Sequence, residues 1–569
     1  MRHIIRAWAT SMVVGCAGAP PPERDGADFA ERMEGYRPCK PRGNDRRGGF
    51  CEANQRWGLH LTFDENTGEN EPAAGVLSAA DFDGDGRVDL VAGFDGMRPM
   101  ALLLNREGAF VDVGSLWGLE EQRRISSTAT ADLDGDGDPD LLVYSRDGRG
   151  VRLLRNDRGR FVLVGHLDGG EDVNAISLSD LDADGLLDVV VASAAREGDC
   201  RLPFISGCPE GVLAWRQRAP WDFEPVSVRA EPRRALALRW HDLDADGRDE
   251  LIVGSDFGML NGGNQVLRVE RVGGSLTLTE QPLPPGFDAR IFAMGVSPID
   301  VDGDGVDEVL VTNYGCNVLM HRVESHWVDM ARVWGADAYG VPLAGQVPHF
   351  NPLDPDNRWM GPMAGFRDQY LEPDSTRMPS TKWTPLVFDY DQDGRDDVYI
   401  GTGMTGISTL FPEPTLQAGV MLHGTGHRLD DVTDALRLAE LHGGHFPVAA
   451  DFDGDGDLDL AMVHGALPGR PGRMVALRND ASVGNALTVT ARGRGGARDG
   501  IGAHVRARVG DRVVARRLDG NLSIAGAAPH VVHLGLGSAA VVDELEVRFV
   551  SGAVRRLHRV PAGAVVVAE

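Results

Sequence analysis

Carboxylates recur at fixed spacing in the stretch DFDGDGRVDL, where Asp81, Asp83, Asp85 and Asp89 surround Gly86. Six more stretches repeat the pattern. They carry Asp132, Asp134, Asp136 and Asp140; Asp180, Asp182, Asp184 and Asp188; and Asp242, Asp244, Asp246 and Glu250. The last three carry Asp300, Asp302, Asp304 and Glu308; Asp389, Asp391, Asp393 and Asp397; and Asp451, Asp453, Asp455 and Asp459. Positions 1, 3 and 5 are Asp in every copy, position 6 is Gly, and position 9 is Asp or Glu. Carboxylates on alternate residues of a tight loop converge on one point, and that many hard oxygen donors match Ca²⁺, which accepts about 6 to 8 oxygens in a forgiving geometry. The glycine marks a sharp turn, where φ > 0 costs it little. Position 7 varies freely, so its carbonyl is the expected ligand there, and the acid at position 9 closes the site.

Repulsion decides whether such a loop can stay empty. Two unit charges about 4 Å apart repel by roughly 1 kcal/mol even at the dielectric of water, and four carboxylates make six pairs. About seven Ca²⁺ ions would bring the formal charge of −28 to about −14, a better-behaved surface. An EF-hand also begins DxDxDG, but it needs Glu at position 12 and flanking helices. Position 12 is apolar in every copy, from Ala92 to Met462.

The loops need hairpins to hold them. Short β-rich runs precede and follow each copy, as in ALALRW before Asp242 and DVVVAS from Asp188. Successive copies start 51, 48, 62, 58, 89 and 62 residues apart, and a four-stranded blade takes about 40 to 50 residues. A weaker repeat between the loops, such as LLLNREGAFVDV from Leu102, supplies an outer hairpin. The predicted fold is all-β: a seven-bladed β-propeller over residues 51–480 with one calcium loop per blade, followed by a small β domain at 481–569. Residues 52–70 are expected to complete the last blade and close the ring.

Charge divides the chain in the same place. Residues 482–569 hold 12 Arg against 7 acidic residues, whereas the seven loops alone hold 33 of the 85 Asp and Glu. A net charge of −28 argues against nucleic acid as a partner, because phosphate binding needs a basic footprint.

The N-terminus places Arg2 and Arg6 before a short apolar run ending Val13-Val14-Gly15-Cys16, which matches the bacterial lipobox. That predicts a signal peptide at 1–15, acylation of Cys16 and a flexible tether at 16–50. The predicted location is the bacterial cell envelope, lipid-anchored at the outer membrane or surface, with secretion as the alternative. Membrane contact is expected only through the lipid, and the protein is expected to be a monomer. In an oxidising compartment Cys39 with Cys51, and Cys200 with Cys208, are candidates for local disulfides, which leaves Cys316 over. The alternative is that all of these are small buried residues.

These loops and hairpins resemble the FG-GAP/VCBS repeat proteins, whose blades carry DxDxDGxxD loops as in integrin α-chain propellers. AMGVSPIDVDGDGVDEVLVTN is similar to the cartilage acidic protein group, and RDGIGAHVRARVG, HVVHLGLGS and VDELEVRFVSGAVRRL resemble the ASPIC/UnbV domain, with Phe549-Val550 where that domain usually has Trp-Pro. The resemblance implies an extracellular calcium-binding propeller used in adhesion or recognition of a glycan or protein ligand. A site must still be argued from residues, since one fold hosts many functions.

The 89-residue interval holds Trp359, Phe366, Arg367, Tyr370 and Trp383, aromatics with an Arg that can stack on a sugar or grip a peptide; a loop packed over the propeller mouth is the alternative. His442 and His445 stand three apart with no adjoining Cys or carboxylate, the mark of a turn. No GxSxG, HExxH or Walker pattern is present. A recognition module is the expected function, with a purely structural surface protein or a propeller-borne polysaccharide lyase or hydrolase as alternatives.

Overall fold

The computed structural model describes residues 36–39, 48–63, 75–94, 96–148, 150–195, 208–258, 262–338, 340–342, 377–403, 417–440, 446–465, 471–481, 483–494 and 498–569. Cys16, Cys200, His442, His445, Trp359, Phe366, Arg367 and Tyr370 lie outside these residues.

The chain is nearly all β, and each acidic loop joins the first and second strands of a four-stranded antiparallel meander. In the first sheet these strands are Gly75–Ala80, Asp89–Phe94, Ala101–Asn105 and Phe110–Asp112. The first strands of the later sheets are Ile125–Ala131, Asp172–Ser179, Ala235–His241, Gly295–Ile299, Lys382–Phe388 and Val448–Ala450. Each packs on the next, and the last packs on the first, so the sheets stand radially around an axis as in a β-propeller. Gly, Ala and Ser crowd these inner strands, as in GVLSAA and ISSTATA, because strands converging on an axis leave little room for side chains.

The N-terminal segment closes the ring as the sequence suggests, beginning slightly earlier. Phe50–Glu52 pairs antiparallel with Gly472–Asn479 and supplies the outer strand of the seventh sheet, and Trp57, fully buried, packs edge-on against Phe110 of the first sheet and Phe452 of the seventh. The disulfide Cys39–Cys51 pins this segment. Cys316 is not left over: it is disulfide-bonded, to a partner outside the described side chains, and it is buried. The third and fourth sheets are further joined by a parallel pairing of Asp222–Arg229 with Ser275–Glu280.

Adjacent sheets are also latched by side-chain amides. The outer residue Asn156 donates to the carbonyl of Phe82 in the preceding sheet at 2.9 Å, Gln217 to Leu133 at 3.0 Å, Asn479 to Tyr390 at 2.7 Å and, across the closure, Asn105 to Phe452 at 2.8 Å. Arg322 does the same to Leu243 at 3.2 Å. All these carbonyls belong to position 2 of an acidic loop. Replacing Asn156 by Ala strands the Phe82 carbonyl away from water, so a loss of about 1–3 kcal/mol is expected in denaturant melts; no change would mean the latch is dispensable.

The C-terminal region forms two sheets: Asn485–Arg492 between Val532–Gly537 and Gly563–Ala568, and a meander in the order Arg512–Arg517, His504–Val509, Val541–Arg548, Val554–Pro561. Its core, with Leu487, Val505, Leu534 and Val547, runs on into Leu133 and Leu187 of the second and third loops. From it the segment 521–529 enters the propeller axis. Ala79 donates to the carbonyl of Ala527 at 3.1 Å, Thr128 to that of Ala525 at 3.2 Å, Ala525 to that of Asn174 at 3.0 Å and Leu238 to that of Ser523 at 2.8 Å. The Val296 amide donates to Ser523 Oγ at 2.8 Å, so one short segment touches the inner strands of five consecutive sheets.

Candidate metal centres

All seven loops fold by one hydrogen-bond scheme. The position-6 amide donates to the position-1 carboxylate at 2.6–3.0 Å in every loop, as Gly86 does to Asp81. The position-7 amide donates to the position-5 carboxylate, as Arg87 does to Asp85 at 3.0 Å. Position 6 is left-handed throughout, and so is position 4, where Ala183, Ala245 and Gln392 have φ of 59°, 60° and 60°. The second left-handed residue escaped the sequence reading, although Gly at four of the seven position-4 sites was its signal.

The acid at position 9 is more than a lid. It is buried, and one oxygen accepts the position-2 amide at 2.8–3.1 Å in every loop. The other oxygen accepts a third-strand amide: Asn105 to Asp89 at 2.7 Å, Asn156 to Asp140, Gln217 to Asp188, Gly424 to Asp397 and Asn479 to Asp459 at 2.8 Å. In the two loops with Glu the longer side chain instead meets Arg268 Nε at 3.0 Å from Glu250 and His321 Nδ1 at 2.7 Å from Glu308. Burial is the largest influence on these groups. It pushes Asp89 up to about 7, Asp140 and Asp188 up to about 8, Glu308 to about 7 and Asp397 to about 6, against the pull of the hydrogen bonds they accept.

These residues fit a cation. Carboxylate oxygens of Asp81, Asp83 and Asp85, of Asp132, Asp134 and Asp136, and of Asp180, Asp182 and Asp188 lie within 4.8 Å of one another in each set. In the third loop Asp182 Oδ1 is buried with no hydrogen-bond partner among the described residues. A bound Ca²⁺ would supply the positive charge that this oxygen and its neighbours lack. Arginines partly serve that purpose: Arg106 lies 2.5 Å from Asp83, Arg216 lies 2.8 Å from Asp182, and Arg268 lies 2.6 Å from Asp244.

The C-terminal domain docks on this face at several loops, while the tips of others stay exposed. The Asp132 amide donates to Asp499 at 2.6 Å, the Gly537 amide donates to the Gln392 carbonyl at 2.8 Å, and Arg512 donates to the Asp393 carbonyl at 2.8 Å. Position 8 explains the extra acids of three loops. Asp249 takes Arg517 Nε at 2.6 Å and His504 Nε2 at 3.2 Å, Asp396 takes Arg516, and Asp307 faces His241 at 3.9 Å. Burial alone would raise Asp249, but Arg517 and His504 hold it well below the usual carboxylate range. The sequence signal was an acid at position 8 in these copies alone, RDE, VDE and RDD.

One expected surface residue is corrected. Trp383 is buried, its indole N–H donates to the Gly403 carbonyl at 2.7 Å, and its ring packs against Phe446, so it is a core anchor and not an exposed platform. It follows Thr381 into an inner strand, where the interior outcompetes solvent for a large apolar ring.

Radial sheets with a hydrogen-bonded acidic loop apiece define a repeat β-propeller. Residues 81–143, 132–191 and 242–311 match the FG-GAP-like repeat family, and residues 493–569 match the ASPIC and UnbV family. No curated protein matches the chain. Among solved structures it is similar to a lectin of Agrocybe aegerita described as recognising non-reducing terminal N-acetylglucosamine, at 13% identity and TM-score 0.36, covering 79% of this chain and 96% of the lectin. It is similar to a hypothetical selenium-binding protein from Sulfolobus tokodaii at 10% identity and TM-score 0.34, covering 72% of this chain and 94% of that one. It is also similar to a PQQ-bound aldose sugar dehydrogenase from Streptomyces coelicolor at 16% identity and TM-score 0.29, covering 62% and 94%. Likenesses this distant carry no argument about ligand or reaction.

Proposed function

We propose that the protein is a calcium-braced recognition propeller of the bacterial cell envelope that binds a glycan or protein ligand on the face away from its acidic loops. The observation that carries this reading is the placement of the C-terminal domain, which occupies the loop face and fills the axis through residues 521–529. The loops are hydrogen-bonded into their sheets and into this domain, so their carboxylates serve to stiffen the propeller, although the tips of the first, fourth, fifth and seventh loops stay exposed. The opposite ends of the inner strands receive the connections between sheets, including the interval that ends in the paired strands Gly340–Pro342 and Arg377–Pro379. Trp359, Phe366, Arg367 and Tyr370 belong to that interval. In each loop the Ca²⁺ ligands are the carboxylates at positions 1, 3, 5 and 9, whose oxygens supply a hard, charge-rich donor set.

The Cys39–Cys51 disulfide and the disulfide-bonded Cys316 support an oxidising compartment, in keeping with export and acylation at Cys16. A monomer needs no further chain to close the ring. The test is a glycan and surface-protein binding screen of the chain with and without Ca²⁺, repeated on Trp359→Ala with Arg367→Ala. Saturable binding that disappears in the double variant while the melt is unchanged is the expected result. Absence of any saturable ligand would leave a purely structural role, and turnover of an acidic polysaccharide would make the protein an enzyme.

A further inference from the structure

A cleft of about 540 Å³ separates the C-terminal domain from part of the loop face, reaching from the first and seventh loops to the inner strands of the fourth, fifth and sixth sheets. The exposed residues Arg87, Glu107 and Val531 mark its mouth. Its inner end is made by Arg239 of the fourth inner strand, Ser297 of the fifth, and Arg516, Arg517, Asp519 and Asn521 of the C-terminal domain. These groups are largely withdrawn from solvent: the side chains of Arg517 and Asp519 are 7% and 6% exposed. A space of this size suits a small molecule, held where a few polar groups converge between apolar walls.

Charge at the inner end is unevenly disposed. Three guanidiniums line the cleft there with one carboxylate, Asp519, because the other partners, Asp249 of Arg517 and Asp396 of Arg516, stand outside its wall. Arg239 is the least satisfied of the three. One terminal nitrogen donates to the Asn521 carbonyl at 3.1 Å, but Nε lies 3.1 Å from Asp519 Oδ2 without the alignment of a hydrogen bond, and both of those atoms are buried. Burial pulls Arg239 down to about 10, the mark of a cation short of countercharge. An anion relieves that state, and a guanidinium takes a carboxylate through two parallel N–H groups. Asp519 then selects among anions: it repels a dianion more than a monoanion, and it can accept from a ligand hydroxyl. Ser297, Thr488 and Thr490 add hydroxyl partners, and Pro385, Phe388, Leu522 and Val532 supply an apolar wall that a bare anion would leave uncovered. Glu107, Asp451 and Asp453 line the outer part, so the ligand's charge belongs at the inner end.

We propose that this cleft is a second ligand site, separate from the face away from the loops, and that it takes a hydroxylated monocarboxylate of the sugar-acid class, with the carboxylate on Arg239 and its neighbouring guanidiniums and a hydroxyl on Asp519. The test is calorimetric titration of the full chain with glucuronate, and with glucose, acetate and inorganic phosphate for comparison. The expected result is one saturable glucuronate site per chain, with each of the other three binding about tenfold more weakly or less, the worth of one charged hydrogen bond. Arg239→Gln should weaken glucuronate by about tenfold or more on the same ground. Thr490→Phe, which narrows the cleft from a half-buried wall position, should abolish binding and leave the melt unchanged. Trp359→Ala with Arg367→Ala should leave glucuronate binding as it was. Absence of a saturable site, glucose or phosphate bound as tightly as glucuronate, or binding unaltered by Thr490→Phe overturns the proposal. Loss of binding in the Trp359 and Arg367 variant overturns it too, and places the sugar acid on the opposite face. If Arg239→Gln does not fold, Thr490→Phe decides.

Discussion

Stripping divalent cations with a chelator is expected to lower the melting temperature steeply, and to lower it more at alkaline than at mildly acidic pH. Cation binding stabilises the folded chain by mass action, about 2.7 kcal/mol per site at a ligand concentration of about 100 times Kd. Several such sites together match the roughly 5–15 kcal/mol that holds a whole domain folded. The pH dependence follows from the buried acids at position 9. Without a cation, burial raises Asp140 and Asp188 to about 8 and Asp89 and Glu308 to about 7, whereas in the unfolded chain they titrate near their ordinary values of about 4. A folded-state value above the unfolded one means that the folded chain binds the proton more tightly. The stability it lends is complete below about pH 4 and is lost as pH rises through about 7 to 8. In chelator, the melt should therefore rise on acidification from about pH 9 to about pH 6. In saturating Ca²⁺ the trend should shrink or reverse, because the ion replaces the proton. Identical melts with and without chelator would refute the brace, and a chelator melt insensitive to pH would refute the account of the position-9 acids.

Gly526→Ala is expected to dislodge the C-terminal domain from the propeller axis. Gly526 sits in the segment that touches five inner strands, and a Cβ there would fall inside the radius of the Leu77 carbonyl oxygen, with Leu522 Cδ1 3.3 Å away on another side. The oxygen belongs to the backbone of the first inner strand, Gly75–Ala80, which is hydrogen-bonded along its length and cannot give way as a side-chain tip can. Overpacking of this kind costs about 1–3 kcal/mol. Ile524→Asp is the stronger form, since Ile524 lies in the core and an unpaired carboxylate buried there costs about 3–5 kcal/mol. Limited proteolysis and thermal melts check both variants. The expected reading is early release of a fragment near residue 482 and a lower, split melt. A C-terminal domain equally protected in both variants would show that the plug contributes nothing to docking.

The loops were legible in the sequence because their chemistry is local. Carboxylates at positions 1, 3, 5 and 9 with a glycine at 6 dictate one turn, and β-rich flanks make that turn a hairpin. Repetition of the hairpin at blade-like intervals leaves a ring as the arrangement without free edges. Ring closure by the N-terminal segment was expected from topology, because a ring leaves no long sheet edge free, and the strand Phe50–Glu52 supplies it. Less visible was the second duty of the acid at position 9, because its partners Asn105 and Asn156 stand on another strand.

What the sequence determined by itself was thus the repeat, the donor set and the all-β class, each written within about ten consecutive residues. Only the tertiary structure decided where the Arg-rich C-terminal domain sits, that residues 521–529 fill the axis, and that Asp249 and Asp396 serve Arg517 and Arg516. It also buried Trp383, placed Cys316 in a disulfide and set His321 and His423 beside acidic pairs. The reason lies in sequence distance. Asn105 reaches Phe452, and Arg516 reaches Asp396, across more than a hundred residues. Periodicity records which face of a strand is buried, but the identity of the partner emerges only when the closed ring brings distant strands to contact.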